Sequence, residues 1–503
     1  MSRKNGGIIG PANTPVGGLF KGVASGVWRM NDLFNFVNNS QWPTGPQNID
    51  NSCLFDGSGY GQRSISTAGS GTTATFSVWA KTSALPDKVL WTSYIDANNY
   101  VEIYFNSGQF RVYHYDGGST SNDVQTNAYF RDESAWYHFH VIFDTTNGTE
   151  ADRIQMYVNG TRLTDFKTAN YPTSSQDLEL SSSSATFNLG ARNADEQWKG
   201  YMAEMVFIDN QALTPSSFGE TDSTTGIWKP KKIGAFSSAG TNSFYLDFKD
   251  SSNLGKDASG LGNNFTVTNI ASTDQMTDTC VENFATLNSL NNVGTGANPT
   301  YSEGNLKVVS SADNYFGGSG NIGVTTGKWY LEVELDAEST SGQGVIGMST
   351  NIFEEARQNR HFGQLTSNPS VGYYGGNGNK VVDGATDSSY GDTYAAGDII
   401  GIAIDLDNNK IYFSKNGTFQ NSGVPTSGST GTGAISLTAT DREWFLSLGD
   451  AGSSTTATYL VNFGNPPFSI SSGNSDANGH GNFEYSVPSG YYALNTSNLN
   501  TYG

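Results

Sequence analysis

Cysteine is nearly missing from this chain: Cys53 and Cys280 are the only two in 503 residues. Two thiols so far apart make neither a zinc-ligand spacing nor a disulfide framework, and they read as buried free thiols. Long apolar runs are missing as well. The longest obvious one is Ile399–Ile404, IIGIAI, far short of the ~18–20 residues that cross a bilayer, so membrane insertion is not expected. The opening MSRKNGGIIGPANTP has no apolar core of the signal-peptide kind, so no standard export signal is expected either. Basic residues are scarce, 27 Lys and Arg against 47 Asp and Glu, for a formal charge of −20. A surface of that sign repels phosphate backbones, and no Lys/Arg cluster offsets it; nucleic acid is not an expected partner. Histidine is limited to five scattered positions. No Gly-x-Ser-x-Gly elbow, phosphate loop or Cys/His nucleophile pair is present.

What is abundant is glycine, at 60 residues, and aromatic side chains, at 12%. That mixture suits many short strands joined by tight turns, with the aromatics supplying the burial. The length predicts two or three domains. Met1–Gly26 is rich in Gly, Pro and Asn and reads as an extended arm. It leads into VWRMNDLFNFVNNSQWP, where Met30, Leu33, Phe34 and Val37 recur at helical spacing just after Trp28. The spacing predicts a short amphipathic helix, stopped by the Asn pair and Pro43, that either packs on its own domain or serves as a docking or oligomerisation plug.

From Asn51 to Lys232 the chain is a succession of alternating segments such as ATFSVWAK, NYVEIYF, QFRVYHY, WYHFHVIFD and GYMAEMVFID, separated by turn pairs including Asn159-Gly160. The pattern predicts an antiparallel β-sandwich. Within it Trp136, His138, Asp144, Val158, Asn159 and Gly160 form a Trp-x-His strand, a following Asp and a Val-Asn-Gly hairpin. On those residues the segment resembles the laminin-G/pentraxin-type concanavalin A-like sandwich. The resemblance implies that calcium is a possible ligand, with Asp56, Asp96, Asn98 and Asp144 as oxygen donors. His138 and His140 share a strand face, where they either pack or hold a metal.

The last third, from Tyr301 to Gly503, is a second strand series. Ile400, Ile402, Ile404 and Leu406 face one way, Asp407-Asn408-Asn409 turns, and Ile411 and Phe413 return. Gly327, Lys328, Tyr330, Glu332 and Val333, then Gly397, Asp398, Gly401 and Asp405, then Phe413, Lys415, Asn416 and Gly417 occur in the order seen in SPRY (B30.2-like) domains, which the segment resembles. The fold class expected is thus all-β: two antiparallel concanavalin A-like/jelly-roll sandwiches in tandem, with an N-terminal arm and short helix. The expected division is an attachment arm over 1–48, the first sandwich over 49–232, a connector adding strands over 233–300, and the SPRY-like sandwich over 301–503. Which sandwich Ser243–Val267 joins is left open by the sequence.

The stretch GKWYLEVELDAEST carries Glu332, Glu334, Asp336 and Glu338 at every second position. Strand periodicity puts these carboxylates on one face, with Trp329, Leu331, Val333 and Leu335 on the other. Glu334, Asp336 and Glu338 therefore offer a glycoside-hydrolase reading, in which a retaining pair needs carboxyls only ~5–5.5 Å apart. The strand's end at Ser339-Thr340-Ser341-Gly342 and the position of Trp329 on the other face weigh against it, and the expectation is a non-enzyme. Binding is expected instead from exposed loop aromatics and amides: Tyr373, Tyr374, Asn377 and Asn379 in VGYYGGNGNK, and Tyr390, Asp392 and Tyr394 in SSYGDTY.

The whole order of parts resembles virion proteins of tailed phages. That resemblance implies a tail fibre, or a head fibre or decoration, located in the virion. It implies attachment to other virion proteins through the arm, with Trp28, Met30, Leu33, Phe34 and Val37 as the contact residues, and assembly as a homotrimer. It also implies a host-surface glycan or protein as the second partner. The alternatives are a purely architectural capsid decoration protein and a glycan depolymerase.

Overall fold

The computed structural model describes residues 49–503 except 85–87, 224, 235, 237–238, 291–297, 311–315, 352–362, 364–367, 386, 440 and 453. The arm and the helix expected over Met30–Val37, with Trp28, Met30, Leu33, Phe34 and Val37, lie outside the described residues.

Apart from short 3₁₀ turns and one terminal helix, Thr496–Tyr502, the described elements are strands. Two eight-stranded sheets build the first sandwich. One sheet is centred on Thr73–Thr82, flanked by Tyr137–Asp144 and Lys199–Asp209. The other sheet, also open, runs through Ser119–Tyr129, Gln109–Asp116, Asn99–Asn106, Val89–Asp96 and Thr186–Leu189 in spatial order. Alternation explains the layering: Val101, Ile103 and Phe105, with Phe110 and Val112, enter a core that also buries Phe76, Trp91, Phe139, Phe187 and Phe207. Their neighbours Tyr100, Glu102 and Tyr104, with Arg111, Tyr113 and Tyr115, therefore face outward.

The segment left open by the sequence belongs to this first sandwich. Phe244–Leu246 pairs with Lys199–Asp209, Thr266–Thr268 with Tyr60–Ser64, and Gln275–Met276 with Ser52–Asp56. Phe244, Leu246, Phe248, Leu254 and Phe265 complete its core.

The second sandwich has a nine-stranded and a six-stranded sheet. The Ile399–Asp405 and Lys410–Lys415 hairpin pairs Ile402 with Phe413 and Ile404 with Ile411. The turn is held by Asp405, which accepts from the Asn408 amide at 3.0 Å, and Asn409 takes the left-handed conformation such a tight turn needs (φ 56°).

Polar contacts join the sandwiches. The Lys81 ammonium, on the first, bonds Asp278 at 2.8 Å and Asn283 at 2.7 Å. Asn465, from the second, accepts from the Thr277 amide at 3.0 Å, and Glu133 accepts from Asn305 at 2.8 Å. Cys53 is buried as expected; Cys280 is only partly covered, which corrects the expectation of a second fully buried thiol.

Candidate functional site

The row of carboxylates on Lys328–Glu338 does not form a catalytic face. Glu332 is fully buried beneath the C-terminal stretch. Its oxygens accept from the amides of Glu484 (2.9 Å) and Tyr485 (2.8 Å), from Asn462 (3.2 Å) and from the Tyr330 hydroxyl (3.1 Å). Glu334 is raised by partial burial and by Asp336, and Asp336 pairs with Lys307 at 3.1 Å. Register against Ala457–Asn462 shifts between Leu335 and Ala337. That bulge breaks the period of two, so Glu338 departs from the row. Its carboxylate instead accepts from the amides of Gly342, Gln343 and Gly344 at 2.7–3.1 Å, closing the loop that ends the strand.

Three of the expected loop aromatics are in the core. Tyr373, Tyr390 and Tyr394 are 0%, 4% and 2% exposed and pack on one another and on Phe413. Their hydroxyls are engaged: Tyr394 donates to Tyr373 O at 2.7 Å, Tyr390 accepts from the Phe413 amide at 3.1 Å, and Tyr373 donates to Asp392 O. None of the three offers a free face for stacking, which corrects that expectation. Asn377 and Asp392 are exposed, and Tyr374 and Asn379 are half-buried. Asn377 caps its own turn by accepting from the Asn379 amide at 2.9 Å.

The histidine pair is structural. His138 and His140 are fully buried. His138 lies between Trp79 and Trp228, with centroids at 5.0 and 5.9 Å, bonding Ser77 at 2.8 Å and accepting from the Trp228 indole at 3.1 Å. His140 bonds Leu213 O at 3.0 Å. The calcium candidates also sit in separate turns. Asp56 accepts from the Ser58 amide, Asp96 from Asn98, and Asp144 from Thr146. Among the described residues no group of three His, Cys, Asp or Glu side chains is placed to hold a metal ion.

The structure instead opens a polar cavity of about 330 Å³ at one end of the first sandwich. Its walls are Ala68, Gly69 and Gly71 from one loop, Asp116 from the end of Gln109–Asp116, and Asp177, Glu179, Ser181 and Ser182 from a third segment. The loops are fixed by main-chain bonds, Gly69 N to Ser181 O and Leu178 N to Gly71 O, both at 2.8 Å. Asp177 accepts from the Glu179 amide at 2.8 Å, and Glu179 itself is left-handed (φ 56°). A Cβ on Gly71 would overlap the Asp177 carboxylate, and one on Gly69 the Asp209 carboxylate behind the wall; glycine at 71 lets Asp177 close the wall. Partial burial and the carboxylates of Asp116, Asp177 and Asp96 push Glu179 upward. Carboxylates, serine hydroxyls and bare backbone at this size suit a small polyhydroxylated ligand. Sequence alone did not single out this set, because its members come from distant segments.

Comparison with known proteins agrees with both modules. Residues 55–217 match the family model Laminin_G_3, the concanavalin A-like lectin/glucanases superfamily, and residues 328–437 match the SPRY domain. A Ran-binding proteins 9/10 homolog of Drosophila melanogaster is 33% identical over 91 residues, 18% of this chain and 9% of that protein. Human Ran-binding protein 9 is 32% identical over 96 residues, 19% and 12% of the two chains. The chain thus spans only about a tenth of the length of these curated relatives. Among solved structures, the SPRY domain of human HERC1 matches at 18% identity, covering 35% of this chain and 96% of that one, with a TM-score of 0.24. Domain 4 of AbnA, a GH43 extracellular arabinanase from Geobacillus stearothermophilus in complex with arabinotriose, matches at 20% identity, 33% and 73% coverage, and a TM-score of 0.26. The chain therefore carries a lectin-like and a SPRY β-sandwich, of kinds that bind carbohydrate or protein.

Proposed function

We propose that the chain is a non-enzymatic structural protein of a tailed-phage virion, a tail fibre or a head fibre or decoration, that recognises a host-surface glycan through its first sandwich. Support for recognition comes from the cavity between Asp116, Asp177 and Ser181, a carboxylate- and hydroxyl-lined recess at the loop end of a lectin-like fold. Support for the virion comes from the order of parts in the sequence, a Gly/Pro/Asn-rich arm followed by tandem β-sandwiches. In this reading residues 1–48 attach the protein to other virion proteins, a homotrimer multiplies weak single-site affinity, and the SPRY module contacts protein. The function lives in the site, since either fold alone hosts many roles.

The test is binding of labelled full-length protein to host cells, with periodate-treated cells alongside, and particle association after deletion of Met1–Trp42. Binding lost on periodate treatment, together with release from the particle on deletion, is the expected result. Binding that survives periodate moves the partner to a protein. Particle association without any cell binding moves the role to architectural decoration. A deletion variant that stays on the particle overturns attachment through the arm.

A further inference from the structure

Beside the cavity, the outward face of the sheet that contains Asn99–Asn106 is paved with tyrosine in register. Tyr94 lies directly opposite Tyr100, and Tyr100 opposite Tyr115, so three adjacent strands each contribute one ring to a single row. The ring centroids are 6.2 and 5.4 Å apart. One step along the strands, Glu102 faces Thr92 and Tyr113; one step further, Tyr104 faces Arg111.

The charges on this face are compensated. Arg111 makes two bonds to Asp123, at 2.6 and 2.7 Å, with its guanidinium 4.5 Å from the Tyr113 ring. Arg192 reaches over from a loop, 5.1 Å from the Tyr100 ring and 3.4 Å from Glu102. Neither cation lies over Tyr94 or Tyr115, the two ends of the row, and both rings are half-buried. Asp96 and Asp116 end the strands that carry them.

Aromatic cross-strand pairs stabilise sheets by themselves, so the tyrosines alone decide nothing. Continuity with the cavity does: Asp116 is at once a cavity wall and the end of the strand that presents Tyr113 and Tyr115. A chain seated in the cavity is led onto the tyrosine row. We infer that this face binds an uncharged polysaccharide, laid across the three strands on Tyr94 and Tyr115, over Arg192 where it covers the buried Tyr100 between them, with one end in the cavity. Apolar sugar faces rest on the two half-buried rings, while Arg192 and Asp96 border the row as hydrogen-bonding groups. The polymer is uncharged because both guanidinium groups are already neutralised and Asp96, Asp116, Asp177 and Glu179 repel anions. This inference rests on the glycan-recognition reading above.

The experiment is titration of the full-length chain with neutral and with uronate-containing oligosaccharides, from single sugars to longer chains. Neutral chains are expected to gain about tenfold in affinity as they outgrow the cavity, the size of effect one added stacking contact gives. Tyr94→Ala with Tyr115→Ala lowers that affinity by about tenfold or more, whereas the Tyr→Phe pair stays within about threefold. An unchanged melting temperature excludes misfolding. Binding without length dependence, or an alanine pair that binds as wild type, overturns the track and leaves recognition by the cavity standing. A preference for uronate chains overturns the assignment of an uncharged polymer. Absence of binding to any sugar by folded protein removes the glycan reading, and this inference with it.

Discussion

Lys81 and Asp278 form an ion pair at 2.8 Å with both side chains fully buried, at the junction of the two sandwiches. Asp278 also accepts from the Trp136 indole at 2.9 Å, and the Lys81 ammonium lies 5.6 Å from the Tyr201 ring. Removing one buried partner strands the other charge, at a cost of about 3–5 kcal/mol. Lys81→Met is therefore expected to lower unfolding stability by that amount in denaturant titration. Adding Asp278→Asn, which keeps an acceptor for Trp136 and removes the stranded charge, recovers most of the loss. A Lys81→Met variant as stable as wild type contradicts this account of the junction.

His140 makes acid stability measurable. Burial lowers its imidazole from the usual value to about 3. A base whose folded value is lowered stabilises the native state above its unfolded value, about 6.5, and loses that contribution as pH falls toward 3. The loss runs at about 1.4 kcal/mol per pH unit in that window. The difference in stability between wild type and His140→Gln should change by about that slope between pH 6 and 4. Parallel curves in that range rule out a buried neutral His140.

Glu204 has the opposite sign. It is 3% exposed, with one oxygen accepting from the Tyr245 hydroxyl at 2.7 Å and burial raising it to about 7. An acid raised on folding costs nothing below its unfolded value, about 4.3, and destabilises progressively as pH rises through 7. Glu204→Gln, which retains an acceptor for Tyr245, is expected to gain about 1–2 kcal/mol at pH 8 and nothing at pH 4. The measurement is chemical unfolding at both pH values; an equal effect at the two refutes the assignment.

The carboxylate strand separates structural from catalytic readings. Glu338→Ala frees three amides from their shared acceptor and should cost about 1–3 kcal/mol. Glu334→Gln, on a partly exposed side chain, should change stability by less than about 0.5 kcal/mol. A polysaccharide-cleaving activity that disappears in Glu334→Gln would establish the depolymerase alternative against this expectation.

Alternation made the strands legible, because a half-buried strand must place apolar residues at every second position. It worked for Ile400, Ile402 and Ile404. It failed at Glu338, since the bulge at Leu335/Ala337 adds a residue to the count without any sequence mark. In VGYYGG, a pair of adjacent tyrosines must send one ring inward, and only the sheet decides that Tyr373 is the one. The outward phase of Tyr100, Glu102, Tyr104, Arg111, Tyr113 and Tyr115 was readable from their core-facing neighbours, yet strand propensity alone accounts for tyrosines there. The cavity was not readable, because Ala68, Asp116 and Asp177 meet only through the tertiary fold.

Gly71 tests the cavity without replacing a charged group. A Cβ there overlaps the Asp177 carboxylate, so Gly71→Ala must push Asp177 into or out of the recess. The strain is that of overpacking at a loop, about 1–3 kcal/mol, and the chain still folds. Sugar affinity is expected to fall by about tenfold or more, as a displaced wall group no longer meets the ligand. Asp177→Asn serves as the companion, since it keeps the shape and an acceptor for the Glu179 amide while removing the charge. An uncharged ligand predicts a small change for Asp177→Asn beside the large one for Gly71→Ala, read by titration with the same oligosaccharide. Equal, large losses would show that the carboxylate charge itself binds, and the ligand would then carry a positive group or arrive with a cation.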